Sequence, residues 1–289
     1  VKLIQSYVKA IRESRFAGYY GGVHPVEGKE PTEHLSLVRF PEPKIAVFPL
    51  SMHLGAPANP VVEVGDYVKV GQKLGEAAGF ISAPVHSSVS GTVVAIEERP
   101  HAVRGTCLAV VIENDHKNTV HESVQPKGAL EDLTPDEIVE IVKEAGIVGM
   151  GGAAFPTHVK LSSAMGKVDT IIVNVSECEP YIVADDRLCQ EYPEQMISGL
   201  KIIMRILGLN KAHIGMEDNK PAAAKALKRA ISDVSMDVES SRSISSRSSL
   251  ICSHTRSYLA SASSRSKSSK IHRLLTVPKA PIVTRVLPL

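Results

Sequence analysis

The sequence GMGGAAFPTHVKL (149–161), followed by the apolar run TIIVNV (170–175) and the polar run SECEPYIVADDR (176–187), decides the fold. The apolar run is short and bounded by polar residues, which is typical of a buried strand. Open α/β sheets bind ligands just beyond the carboxyl ends of their strands. The stretch therefore predicts an α/β domain whose binding site includes the polar residues after this strand.

The first part of the stretch is a glycine-rich turn close to a lysine, formed by Gly149, Gly151, Gly152 and Lys160. Glycine accepts positive φ angles and lets main-chain N–H groups come close to an anion. A helix that begins near residue 156 directs its positive end to the same place. The pattern favours a phosphate-binding loop, although an ordinary tight turn explains three glycines equally well.

The strand end supplies a second set of candidate ligands, namely Asn174, Ser176, Glu177 and Glu179. Amide and carboxylate groups form hydrogen bonds with sugar hydroxyls. A phosphate-binding loop followed within one βα unit by such a strand end is typical of a flavin or dinucleotide site. The pairing of the two motifs is more specific than either motif alone.

Two motifs, GMGGAAFPTHVK and NVSECEP with the later DDR, resemble the NADH-oxidising flavoprotein subunit of respiratory complex I. They are still more similar to the C subunit of the Rnf ion-translocating electron transport complex. The segments GGVHPVEGKEPT (21–32) and IGMEDNKP (214–221) support the second family. The resemblance covers roughly residues 20–232, and it implies that the chain binds FMN and NADH.

The resemblance also assigns roles to individual residues. It implies that the glycine loop and Lys160 hold FMN, and that Phe155 lines the flavin or nicotinamide pocket. It implies that Asn174, Ser176 and Glu177 hold the ribityl chain and help to admit NADH. Ser176 stands where the complex I relatives commonly have Asp, which puts one hydrogen bond in doubt. Glu179 is either a further contact or a partner of Arg187. No residue of the chain is predicted to be catalytic, because the cofactor carries the redox chemistry.

The implied function is electron input from NADH through FMN to iron–sulfur clusters of a membrane-bound, ion-translocating complex. The family carries two [4Fe–4S] clusters on CxxCxxCxxxCP runs, and this sequence contains no such run. Its four cysteines, Cys107, Cys178, Cys189 and Cys252, form no CxxC pair, so we predict no metal site. We expect other subunits of the complex as partners, a peripheral position at the cytoplasmic face of the membrane, and little activity of this chain alone.

Residues 44–113 alternate apolar residues with turn signals and predict a small β domain. The pair VEVGDYVKVGQKLGE and SAPVHSSVSGTVVAI resembles the barrel-sandwich hybrid of biotinyl and lipoyl carriers. The connecting hairpin of a carrier bears a modified lysine, whereas AAGFIS (77–82) has none and the nearest lysine is Lys73. A carrier function is therefore disfavoured, and we expect this domain to pack against other elements and to position them.

The remaining divisions follow from composition. Residues 1–20 are an extension outside the resemblance, and residues 21–43 form an extended segment. Residues 130–231 alternate helix and strand patterns and predict an incomplete α/β domain with a parallel sheet. The predicted helices are 134–145, with a capping box of Thr134 and Glu137, then 193–207, and an alanine-rich helix that ends near residue 231. The predicted strands are 170–175 and 211–216. Residues 232–289 are rich in Ser and Arg, which predicts a segment that is disordered or out of frame with the preceding domain.

Bulk properties exclude some classes of function. A formal net charge of +2, with no Trp and few other aromatic residues, gives no basis for nucleic-acid binding. No apolar run reaches the length of a membrane span. The alternative to an electron-transfer subunit is a docking or scaffolding module without enzymatic activity, or an inactive fragment of the subunit.

Overall fold

The computed structural model describes residues 26–150, 152–217 and 219–232, and the backbone of two further strands at 237–243 and 274–277. The chain divides into two compact units. We call residues 39–166 with 205–208 the β unit, because they contain the predicted β domain. We call residues 26–38, 167–204 and 209–232, together with the two further strands, the sheet unit. The predicted extension at 1–20 lies outside the described residues.

The β unit contains two small antiparallel sheets built from seven strands. They are β1 (Ile45–Pro49), β2 (Asn59–Pro60), β3 (Tyr67–Val68), β4 (Lys73–Glu76), β5 (Val85–His86), β6 (Gly91–His101) and β7 (Gly105–Asn114). One sheet has the order β1-β7-β6-β3, and the other has the order β2-β4-β5. A cluster of buried aliphatic side chains that includes Leu50, Val68, Leu74, Val93 and Ile112 fills their core. Two sheets around one apolar core agree with the predicted barrel-sandwich hybrid.

Lys73, the lysine nearest to the predicted carrier hairpin, is held by two carboxylates. Its ammonium lies 2.8 Å from Glu76 and 2.9 Å from Glu144. A carrier lysine has to project freely from a hairpin, whereas this side chain joins β4 to a helix of the same unit. The structure therefore gives Lys73 a packing role within the β unit.

Two helices follow the strands in the β unit, α1 (Pro135–Glu144) and α2 (Thr157–Ala164). Thr134 caps α1 in a full capping box with Glu137, and Pro135 occupies the first turn, as the sequence predicts. Gly146 ends α1 with a φ of 65°. A Cβ at Gly146 would lie 2.4 Å from the carbonyl oxygen of Pro84, so glycine is required both by the turn and by the close approach of the β5 region.

The sheet unit has a four-stranded parallel sheet of order β10-β9-β8-β11. Its strands are β8 (Thr170–Val175), β9 (Lys211–Glu217), β10 (Asp237–Ser243) and β11 (Leu274–Val277). Its helices are α3 (Ala184–Glu191), α4 (Pro193–Leu207) and α5 (Pro221–Ser232). The last residues of α4, from 205, are assigned to the β unit. β8, β9, α4 and α5 fall where the sequence predicts them. Helix α3 was not predicted, because its sequence ADDRLCQE has few apolar residues.

The prediction that residues 232–289 are disordered is not confirmed. Two segments of this tail pair with the sheet in parallel register, Asp237 opposite Lys211 and Leu274 opposite Thr170. The sequence of β10, DVESSRS, lacks an apolar alternation, so composition gives no strand signal there. The rest of the tail lies outside the described residues.

Replacing Gly146 by alanine should destabilise the β unit more than the same change at Gly166. Both glycines have φ near 65°, but a Cβ at Gly166 would meet no atom within 4 Å. Both variants carry the cost of a left-handed alanine, about 1–2 kcal/mol. We expect Gly146→Ala to lose roughly a further 1–3 kcal/mol from the clash with Pro84, measured by denaturant unfolding. If both variants lose the same free energy of unfolding, the Cβ at position 146 causes no additional strain against Pro84.

Candidate functional site

The glycine loop (149–155) belongs to the β unit and is closed at its base by the chain on either side. The N–H of Gly149 donates to the carbonyl of Phe155 at 2.9 Å, and the N–H of Thr157 donates to Ile147 at 3.0 Å. A bridge between Val148 and Pro156 completes this closure. The two ends of the loop are therefore held together directly before α2.

Open space surrounds the position of a side chain at Gly152 in the glycine loop. Gly152 has a φ of 119°, and a Cβ there would meet no atom within 4 Å. Ala154 also has a positive φ, 48°, and its carbonyl accepts a hydrogen bond from the N–H of Leu54 at 3.1 Å. A loop of the β domain thus holds the glycine loop in a conformation that is unfavourable for alanine.

Lys160 lies in the first turn of α2, and Phe155 immediately precedes Pro156, the N-cap residue of that helix. Partial burial lowers the pKa of Lys160 below its usual range. A bound anion would favour the charged form again. Gly151, which the sequence predicts as part of the loop, lies outside the described residues.

The strand-end residues belong to the sheet unit and are ordered by local hydrogen bonds. The Asn174 side chain accepts from the N–H of Ser176 at 3.0 Å, which turns the chain after β8. One carboxylate oxygen of Glu177 accepts from the N–H of Asp185 at 2.7 Å, at the start of α3. Because Val183 gives α3 no side-chain cap, Glu177 takes that role from outside the helix.

Glu177 is also the most deeply buried carboxylate of this edge, with 2% of its surface exposed. Its other carboxylate oxygen is buried and has no hydrogen-bond partner in the part of the chain that the structure describes. Burial is the main cause that raises the pKa of Glu177. An unsatisfied buried acceptor costs about 1–3 kcal/mol, so such a group in a native structure points to a ligand or a water.

Five buried lysine, aspartate and glutamate residues, which we call the charged cluster, belong to the sheet unit: Lys29, Glu177, Asp186, Glu217 and Lys220. Lys220 lies 3.7 Å from a carboxylate oxygen of Asp186. Burial raises the pKa of Glu217 to about 7, while the nearby lysines Lys29 and Lys220 lower it. The carboxyl ends of β8 and β9 thus carry closely balanced buried charges.

Each predicted site residue lies in the same unit as the rest of its own motif. The glycine loop, Phe155 and Lys160 are in the β unit, and Asn174, Ser176, Glu177 and Glu179 are in the sheet unit. Sequence reasoning assigned no role to Lys29, Asp186 or Lys220. The available signal was that Lys29 and Lys220 lie within GGVHPVEGKEPT and IGMEDNKP, the two segments that supported the family resemblance.

Comparison with known families places both predicted motifs in one family match, although they lie in different units of the structure. Residues 17–117 match the RnfC barrel sandwich hybrid domain, and residues 142–265 match the Nuo51 FMN-binding domain. The chain is 48% identical over 214 residues to the C subunit of the Na(+)-translocating ferredoxin:NAD(+) oxidoreductase complex of Acetobacterium woodii, covering 74% of this chain and 48% of that protein. The resemblance to the RnfC family is confirmed.

A second relative gives the same result. The C subunit of the proton-translocating ferredoxin:NAD(+) oxidoreductase complex of Clostridium ljungdahlii is 43% identical over 221 residues, which cover 76% of this chain and 48% of the relative. The chain thus spans about half the length of these two curated relatives. The FMN-binding match extends to residue 265 and so includes β10 of the tail.

A solved NAD+-reducing [NiFe]-hydrogenase is 22% identical with a TM-score of 0.41, covering 55% of this chain and 31% of the hydrogenase chain. A likeness of this size supports no conclusion about function. Among the helices in the described ranges, none combines the length and apolar character needed to cross a bilayer. Nor do the described residues contain a group of three or more His, Cys, Asp or Glu side chains suited to a metal ion.

Arg187, which the sequence offered as a partner for Glu179, forms an ion pair within α3. It donates to Glu191 at 2.5 Å, one helical turn later. The Glu191 carboxylate also accepts from the N–H of Leu37 at 3.0 Å. Arg187 therefore helps to attach the segment before the β domain to α3.

Glu217 should make the stability of the sheet unit depend on pH. Between about pH 4.5 and 7 the folded chain keeps a proton on Glu217 that the unfolded chain releases, so the free energy of unfolding falls as the pH rises through this range. The loss is on the order of 3 kcal/mol at most. The raised pKa of Glu177 also makes the free energy of unfolding fall as the pH rises.

Denaturant unfolding from pH 4.5 to 8 tests this expectation. Glu217→Gln should flatten most of the fall, because glutamine stays neutral throughout. The exposed Glu194 on α4 provides the control, and Glu194→Gln should leave the wild-type slope unchanged. A Glu217→Gln slope equal to that of the wild type would contradict the assignment.

Proposed function

We propose that the chain is the cofactor-binding part of an electron-transfer subunit of the Rnf type, and that it binds FMN and NAD(H). The observation that carries the proposal is the buried carboxylate of Glu177 with a free oxygen, located at the carboxyl edge of a parallel sheet. A scaffold has no reason to bury an unsatisfied acceptor there, whereas a cofactor with hydrogen-bond donors supplies the missing partner. The match to an FMN-binding family over the same residues supports this interpretation.

Each of the two motifs, taken within its own unit, fits one polar part of such a cofactor. The open glycine loop at the start of α2, with Lys160 in the first turn, suits a phosphate. Glu177 at the strand end accepts hydrogen bonds from N–H or hydroxyl groups, and Asn174 shapes the turn that presents it. When bound, FMN would supply two-electron exchange with a nicotinamide and one-electron exchange with an iron–sulfur partner.

The protein's contribution is to bind, orient and adjust charge. The sequence suggested electron entry from NADH, while the names of the relatives place NAD(+) as the acceptor. The same binding groups serve both directions, because a site that stabilises one transition state does so for the forward and the reverse step. Burial raises the pKa values of Glu177 and Glu217, that of Glu217 to about 7, so Glu217 exchanges a proton with water near neutral pH.

We propose that the partners are the other subunits of a membrane-bound, ion-translocating complex, with this chain attached peripherally at the cytoplasmic face. The described residues give no ligand set for a [4Fe–4S] cluster, so electron exit requires groups outside them. The two relatives are named for different translocated ions, Na(+) and protons, so the family relationship leaves the ion open. If the chain binds neither FMN nor NAD(H), the docking-module alternative replaces this proposal.

Lys160→Ala should weaken binding of FMN by roughly 10- to 100-fold, because a charge-assisted hydrogen bond to phosphate is lost. Quenching of flavin fluorescence on titration with the chain measures the affinity. Riboflavin, which has no phosphate, is the matched ligand, and its affinity should not change.

Lys167→Ala is the matched protein control, since Lys167 lies just after α2 and outside the glycine loop. If the wild type binds FMN and Lys160→Ala binds it equally well, the assignment of the phosphate to this loop is wrong. Equal weakening of FMN and riboflavin would indicate a general change of structure.

A further inference from the structure

The segment 26–38, which we call the strap, is fastened across the loop that follows β8. The carbonyl of Glu27 accepts from the N–H of Tyr181 at 2.8 Å. Gly28 has a φ of 60°, and a Cβ there would lie 2.3 Å from the Tyr181 ring, so the two chain segments approach as closely as glycine permits. The N–H of Leu37 donates to Glu191 at the other end of the strap.

The strap inserts Lys29 into the charged cluster. Only 4% of the surface of Lys29 is exposed, although its neighbours in the strap are largely exposed. Its ammonium donates to the main-chain carbonyl of Glu177, and the charge acts on the carboxyl groups of Glu177 and Glu217, whose pKa values it lowers. Burial of an ammonium is expensive, so its position requires compensation by several acceptors.

The hydrogen bonds of Lys29 are incomplete in the part of the chain that the structure describes. An ammonium has three N–H donors, and the described residues use one of them. In the residue whose main-chain carbonyl Lys29 contacts, the second carboxylate oxygen also has no donor among those residues. A buried donor and a buried acceptor are therefore unfilled at the same residue pair.

We propose that Lys29 and Glu177 together bind the amide edge of a cofactor, with the amide carbonyl accepting from Lys29 and the adjacent N–H donating to Glu177. The inference rests on the proposed function. Two cofactor groups have this edge, the pyrimidine ring of a flavin and the carboxamide of a nicotinamide. Neither Lys29 nor its segment belongs to the FMN-binding match at 142–265, so the strap adds a binding residue from outside that domain.

The test measures the affinity of the full 289-residue chain for four ligands: FMN, FMN methylated at the flavin N3, NAD(+), and its analogue with 3-acetylpyridine in place of nicotinamide. Each analogue removes the N–H of one amide edge. The protein variant is Lys29→Met, which removes the donor and the charge at similar length. Lys228→Met, an exposed lysine on α5, is the control.

If the edge is that of the flavin, Lys29→Met weakens FMN by roughly 10- to 100-fold and leaves NAD(+) unchanged. The wild type should bind FMN more tightly than N3-methyl FMN. This difference in affinity should be smaller in Lys29→Met, because the variant has already lost half of the paired contact with the amide edge. If the edge is that of the nicotinamide, the same pattern appears with NAD(+) and its analogue. A general loss of stability would instead weaken a cofactor and its analogue equally, and that result would contradict the inference.

Two further outcomes overturn the inference in different ways. Wild-type binding of FMN or NAD(+) with no selective effect of Lys29→Met shows that water completes the hydrogen bonds of Lys29 and Glu177. Failure of the folded wild type to bind either cofactor overturns the proposed function and this inference together. Circular dichroism and unfolding curves of both lysine variants establish that the folded state is being compared.

Discussion

The arrangement of the sheet unit depends on one constraint, the burial of carboxylates where two parallel strands end. Glu177 and Glu217 lie at the ends of β8 and β9 and are almost wholly removed from water. An ionised carboxylate in such a place needs an opposite charge or a proton. Lys29 and Lys220 supply the charge, and the raised pKa of Glu217 shows that a proton supplies the remainder near neutral pH. The strap, the turn after β8 and the first turns of α3 and α5 are held by these few groups.

The β unit meets a different requirement, the support of a strained loop. Gly152 and Ala154 have positive φ angles that cost free energy unless neighbouring contacts impose them. The base of the loop is closed by main-chain hydrogen bonds, and Leu54 holds the carbonyl of Ala154. The ion pair between Lys73 and Glu144 attaches α1, which leads into the loop, to the strands. Contacts within the β unit thus support both the glycine loop and the helix that precedes it.

Much of the fold could be predicted from sequence because its signals are local. The capping box at Thr134, the apolar run of β8 and the periodicity of α4 each depend on neighbouring residues, and each was placed correctly. Helix α3 was missed because it has few apolar residues and because its cap comes from Glu177, outside the helix. Lys29, Asp186 and Lys220 were missed because the charged cluster joins residues from four separate segments. Sequence patterns carry no direct record of such long-range pairs. The Ser/Arg-rich tail gave no strand signal, since β10 pairs through its backbone and its sequence has no apolar alternation.

The contact between Lys29 and Glu177 spans 148 residues, and the whole β domain lies between them in the sequence. During synthesis the strap emerges first, and the strand end that it fastens emerges only after the intervening domain is complete. Contacts of such separation form late and slow the folding of a chain. The domain boundary suggested by the family match is therefore not a folding boundary. A fragment starting at residue 142 would contain the buried carboxylates without the Lys29 cation that helps to balance them.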